Sequence, residues 1–301
     1  MDLRQLRYFV VVATTGSFTK AAARIPLAQS ALSRHMRLLE EELGAVLLIR
    51  TGRGVELTEQ GRYLVDRATS ILEHSAETKR NLQSWNNNPA GLVRLGMTPT
   101  CTLALASPLL KAMREKYSNV GPQISEGLSA SLGEWLSDDR LDMAVVFTEP
   151  KTVNGFCERI AREELCLVVP PGSDCPEPAR IKDLAEMPIV APFLRKGIRN
   201  RMTDAFREHG FEFSPAFEID ALPAMKDLVV RGAGAAILAK SAVSRELTHG
   251  DVEIRTIDAK NMSFNVYLLI SKTAWHSKAA QGVADIIRKT SKEIFSVDYS
   301  D

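Results

Sequence analysis

Ser30, Ser33, Arg34 and Arg37 are the residues of this 301-residue sequence whose types and spacing most directly suggest chemistry. They fall on one side of a helical pattern, opposite an apolar stripe of Leu32, Met36, Leu39 and Leu43 that must face a small core. Their chemistry is hydrogen bonding, since a guanidinium can donate in pairs to a guanine edge or to phosphate and a hydroxyl can donate or accept. All four lie in the first half of the helix. Glu40, Glu41 and Glu42 crowd the other end, where phosphate would repel them, so the N-terminal half is the part suited to a major groove.

A second set of polar side chains sits at strand-to-helix turns. Thr98 to Thr102, TPTCT, places the hydroxyls of Thr98, Thr100 and Thr102 around Cys101, and the free N–H groups of a starting helix make such a turn an anion site. One hydroxyl could equally serve as an ordinary N-cap. Gly127 to Ser131, GLSAS, repeats the arrangement with Ser129 and Ser131. Phe193 to Arg199, FLRKGIR, adds Arg195, Lys196 and Arg199, which would supply countercharge for an acid or remain solvated surface.

Sharper chemistries fail on inspection. Arg231 to Ala236, RGAGAA, follows a helix and precedes a strand, the reverse of a dinucleotide fingerprint, and lacks the third glycine. There is no phosphate-binding GxxxxGK[ST], no GxSxG elbow and no paired His, so no catalytic site is expected. Cys101, Cys157, Cys166 and Cys175 are spread without CxxC spacing, which points to reduced thiols with neither cofactor nor structural metal. Cys166 lies in an apolar strand, where burial makes a thiol inert rather than a redox switch.

The elements that would position these residues follow from periodicity. Leu3 to Thr14 reads as a first helix with Leu6, Phe9 and Val10 on its packing face, and Gly16 and Ser17 separate it from the next. A break at Ile25, Pro26 and Leu27 then divides two helices, because Pro26 lacks the N–H needed to continue. Two amphipathic helices with a tight turn also occur in domains that bind nothing. The stretch RTGRGVELT, a hairpin pattern with Arg53 at its glycine turn, favours a wing beside a duplex. From Glu59 to about Asn87 one long helix carries a seam of Leu64, Ala68, Ile71, Ser75 and Leu82, which a second copy of the chain would cover. Packing on the chain's own C-terminal part is the alternative. NNNPAG, 86–91, reads as a hinge, and from Leu92 alternating strands and helices imply a parallel sheet of βαβ units.

With MDLRQLRYFVVVATTGSFTKAAARI and AQSALSRHMRLLEEELGAVLLIRTGRGVELTEQG at its start, the sequence resembles the LysR-type transcriptional regulators. The resemblance continues in EGLSASLGEWLSDDRLDMAVV and VVRGAGAAILAKSAV, and within the family it looks most like the nitrogen-assimilation-control branch. It implies an all-α winged helix-turn-helix domain over 1–58, a linker and dimerisation helix over 59–88, and an α/β effector-binding domain over 89–301. That domain should be similar to periplasmic binding proteins, with subdomain I over about 92–161 and 266–301 and subdomain II over about 162–265, two crossing strands and an effector cleft between. Residue by residue, Gln29, Ser30, Ser33 and Arg34 match the family's base-reading positions and Arg53 its wing residue, while both hydroxyl-bearing turns and Phe147 fall on the cleft. Ala28 and Ser30 depart from the family's usual hydroxyl residue and Pro, and Ala28 cannot cap the helix.

Net charge is only +1, but residues 1–58 carry eight Lys/Arg against five Asp/Glu, leaving a balance of −2 for the rest. Positive charge is concentrated where phosphates would be. Tyr8 to Ala13 is too short to span a membrane, so a cytoplasmic chain is expected. The implied partners are double-stranded DNA, a small effector expected to be an anion, and further copies in a homodimer or homotetramer, with RNA polymerase left open. Assembly helices on a ligand-binding α/β protein, and a redox-sensing regulator, are the rival readings.

Overall fold

The computed structural model describes residues 1–52, 54–83, 89–149, 154–193 and 197–295. The chain separates into two compact units, Met1–Asn86 and Asn87–Asp301.

In the first unit α1 (Leu3–Thr15) is held at its start by a capping box of Asp2 and Gln5 and ends at Gly16, whose left-handed φ of 61° suits a residue without a side chain. The helix α2 (Phe18–Arg24) is capped by Ser17, and α3 (Gln29–Leu43) follows. A hairpin of β1 (Leu48–Thr51) and β2 (Gly54–Leu57) leads into α4 (Glu59–Gln83). Leu32, Met36 and Leu39 of the expected stripe are buried with Phe9, Val12 and Ala21, whereas Leu43 is exposed. On α1 the buried position is Val12 rather than Val10, because the buried face of the helix runs through positions 6, 9 and 12. The seam also needs correction. Leu64 and Val65 pack against this head core and Ala68 is fully buried, so the start of α4 is spent on α1 and only Ile71 and Leu82 stay exposed.

The second unit opens with β3 (Gly91–Met97), α5 (Pro99–Lys116), β4 (Val120–Glu126), α6 (Ser129–Ser137) and β5 (Met143–Val146). The long β6 (Gly155–Val169) is followed by β7 (Ala179–Arg180), α7 (Ile181–Ala185), β8 (Ile189–Ala191), α8 (Ile198–Glu208) and β9 (Phe217–Glu218). Then come α9 (Leu222–Val230), β10 (Ala235–Ala239), a 3-10 turn (Lys240–Val243), α10 (Ser244–His249), β11 (Glu253–Arg255) and β12 (Ile257–Asp258). Finally β13 (Ser263–Ser271), α11 (Lys272–Trp275) and α12 (Lys278–Ile294) close the chain. The main sheet runs β4-β3-β5-β13-β6-β10-β8-β9, with β11 also on β6.

The expected parallel pairing holds within each half, β4 and β5 on β3, β10 and β9 on β8. It fails in the middle, where β6 and β13 run antiparallel to each other and to their neighbours. These two strands carry the chain from one half to the other. Of the cores along them, one of β3, α5 and α12 residues and one of α7, α8 and β10 residues are both touched by the half-buried Phe147. The hinge stretch 86–91 lies largely outside the described residues, and Gly91 already belongs to β3.

Candidate functional site

The surface of α3 is built by what its first turn lacks. Ala28 stands at the N-cap with no side-chain hydrogen bond, so the N–H groups opening the helix are not capped by a side chain. Around them Gln29, Ser30 and Arg34 are exposed, with Gln29 Oε1 accepting from the Thr19 hydroxyl at 3.4 Å. Arg37 is exposed too and pairs with Glu41 one turn on, at 3.4 Å. Ser33 is not free. Its hydroxyl accepts from the guanidinium of Arg50, which also lies 4.9 Å above the Phe18 ring, so a β1 arginine that sequence reasoning passed over is braced against this face. Arg53 lies outside the described residues.

Glu40 has another job than its acidic run suggests. Its carboxylate accepts from the Leu47 and Leu48 N–H groups at 2.8 and 3.0 Å and so fixes the start of the hairpin. Gly54 fixes the other strand, since a Cβ there would lie 2.4 Å from the Gly16 carbonyl oxygen, to which Val55 N–H donates at 2.9 Å.

In the second unit, the turns after β3, β4 and β8 each lead into a helix without a side-chain cap. Thr98 occupies the N-cap of α5 yet its hydroxyl does not cap; it is buried beside the Cys101 thiol and makes no well-formed hydrogen bond. Thr100 is buried, and the Thr102 hydroxyl donates to the Thr98 carbonyl at 3.1 Å. Ser129 is the first residue of α6 rather than its cap, and Ser129 and Ser131 are both half-buried. The first two turns adjoin, as Gly127 N–H donates to the Met97 carbonyl at 3.1 Å and β3 and β4 end side by side. Phe147 lies 5.7 Å from the Phe264 ring. Phe193 is exposed, and residues 194–196 lie outside the described residues.

Arg199 is placed otherwise than expected. It is buried, its Nη2 is paired with Glu218 at 2.8 Å and its Nη1 donates to the Pro192 carbonyl at 3.3 Å. The cavity on which it lies, about 660 Å³ and lined also by Asn200, Arg207 and Phe213, includes none of the hydroxyl-bearing turns.

Sequence reasoning also missed Glu163. Its carboxylate on β6 is almost fully buried, accepts from the Ser241 N–H at 2.8 Å, and is pushed up to about 7 by burial, against the opposing pull of that hydrogen bond. Only the polar interruption of an apolar strand signalled it. Burial likewise pushes the Cys101 and Cys166 thiols up to about 12, which leaves both protonated and unreactive.

Residues 3–62 match the model of the bacterial regulatory helix-turn-helix protein, lysR family, and residues 86–292 match the LysR substrate binding domain. The nitrogen assimilation regulatory protein nac of Klebsiella aerogenes is 31% identical over 290 residues, covering 95% of this chain and 94% of that protein. The HTH-type transcriptional regulator BbuR of Bordetella bronchiseptica is 29% identical over 289 residues, covering 95% and 89%. Full-length CbnR complexed with its target DNA has the same fold, with a TM-score of 0.70 at 21% identity over 96% of this chain and 100% of that one. One matched segment carries the open face of α3 and the other the three uncapped turns; the chain belongs to the LysR family of bacterial transcriptional regulators.

Proposed function

We propose that Gln29, Ser30, Ser33, Arg34 and Arg37 read double-stranded DNA, with Arg53 in the adjoining wing, and that a small anion bound in the second unit modulates the reading. The observation that carries this is the first two turns of α3, where N–H groups without a side-chain cap, two exposed polar side chains and the exposed Arg34 lie together. Backbone donors of that kind grip phosphate while Arg34 reaches a base edge. In this reading the head spans 1–58, the linker helix 59–88 and the effector-binding domain 89–301, with subdomains meeting where Phe147 touches two cores. The effector lies against Thr98, Thr100, Ser129, Ser131 and Phe147, whose turns offer hydroxyl and helix N-terminal donors.

The chain acts as a homodimer or homotetramer on an interrupted palindrome, since two heads must meet two half-sites. It is a regulator and not an enzyme, in keeping with its relatives. It works in the cytoplasm; among the described residues no helix is long and apolar enough to cross a membrane. The test is to retain genomic fragments on the purified chain and sequence them. A shared two-half-site motif is expected, and a retained set without any common sequence would count against the reading.

A further inference from the structure

Two positions beyond Arg199, α8 carries an arginine in the opposite situation. Arg201 has no carboxylate partner among the described residues. Its Nη1 donates to the Asn261 carbonyl at 3.0 Å, its guanidinium lies 4.4 Å over the Phe264 ring, and its Nε is buried without an acceptor. The charge nearest in kind is another cation. Arg162 on β6 stands close enough to repel it, and burial together with that repulsion holds the Arg201 guanidinium below its ordinary range. Arg162 is no better neutralised, for its Nε donates to the uncharged Ser263 hydroxyl at 2.9 Å.

A cavity of about 240 Å³ opens on Arg201 between α8 and the turn before β13, and Lys260 lines it as well. Two acids share that lining, but Asp204 is already paired with Arg207 at 3.1 Å and Glu208 forms no described ion pair with Arg201. Glu164, opposite Ser263 across β6 and β13, is exposed and forms no described ion pair with either arginine. A half-buried guanidinium whose buried Nε lacks an acceptor, with an exposed second arginine adding positive charge nearby, is an arrangement that an anion would complete.

We propose that Arg201 and Lys260, which line this cavity, form an oxyanion site that takes a phosphate, sulfate or carboxylate group of a small molecule, with Arg162 on the adjoining strand adding positive charge. The site goes beyond the effector reading above, because its cavity, like the one beside Arg199, includes none of the hydroxyl-bearing turns.

The experiment follows thermal unfolding of the full chain while inorganic phosphate or sulfate replaces chloride at constant ionic strength. The wild type should show a saturable rise in Tm. Arg201→Gln should weaken the apparent affinity by about tenfold or more, as loss of a charge-assisted bond implies, and Arg162→Gln by less, since it adds charge from outside the cavity lining. Arg201→Lys should fall between, since it keeps the charge and loses the fork. Arg199→Gln, which breaks the Glu218 pair, should lower Tm in chloride yet keep the anion-dependent rise. No saturable rise in the wild type, or an undiminished one in Arg201→Gln, would overturn the site. So would a marked drop in the Tm of Arg201→Gln in chloride, because an uncompensated charge should not be missed there. Anion binding that depends on Arg201 would support the site whether or not it changes the DNA footprint.

Discussion

Ala28 opens α3 with a methyl group where a hydroxyl would ordinarily sit, and the helix start has no side-chain cap. Ala28→Ser should therefore raise the stability of the head by about 1 kcal/mol, measured by chemical unfolding of the full chain at the head transition. No gain would mean that the first turn finds its partners elsewhere. Glu163 makes a pH-dependent prediction. Its carboxyl titrates near 7 when folded and at the ordinary 4.5 when solvated, so between those values the native chain holds a proton that the unfolded chain has lost. Stability must fall as pH rises through that window and level off above it. Lys240, on the 3-10 turn, eases this cost and Glu164 adds to it. Glu163→Gln keeps an acceptor for Ser241 N–H, and at pH 8 it should be more stable than the wild type by about 1–3 kcal/mol with a flatter pH profile. Equal stabilities at pH 8 would show that the carboxylate is better solvated than its burial indicates. Which arginine of α8 carries free charge could not be seen from sequence, since Arg199 and Arg201 differ only in the face they present. The positions of Glu218 and Phe264, fixed by distant strands, decide it.

Among the elements, periodicity made α1, α3, α5 and α12 legible, and the apolar runs of β3, β5 and β10 with them. The first half of β6 was not. Glu158, Arg159 and Arg162 interrupt the apolar run there, because that stretch lies on an open face and Arg288 pairs with Glu158 across it at 2.9 Å. A charged strand of this kind is held by β13 on its side, and pairing between distant strands leaves no local pattern. The seam of α4 was half legible for a related reason. Heptad-like spacing cannot tell a partner within the chain from one outside it, and Leu64 proves to belong to the head core. The variants Leu64→Asp and Ile71→Asp should therefore differ. Leu64→Asp should unfold the head, whereas Ile71→Asp should leave it folded and convert the assembly to monomers in sedimentation. A dimeric Ile71→Asp protein would remove α4 from the interface.

For the molecule as a whole, the near-neutral charge conceals a head of net +3 and a remainder of −2, and the exposed arginines of α3 lie in the positive part. The two-unit architecture and family membership were legible from the start of the chain, whereas the pairing of Arg199 with Glu218, and of Arg201 with a carbonyl alone, needed the second unit to be folded. A signal received there can alter DNA binding only if the ligand favours one arrangement of the assembly over another, so effector and DNA affinities must change reciprocally. Everything in this account depends on α3 reading bases rather than merely approaching phosphate. The most direct measurement compares the wild type with Arg34→Ala on a fragment selected by the chain and on a random duplex of equal length and salt. The account predicts a loss of about 1–3 kcal/mol on the selected fragment and a distinctly smaller one on the random duplex. Equal losses on both would contradict it and make Arg34 a phosphate contact.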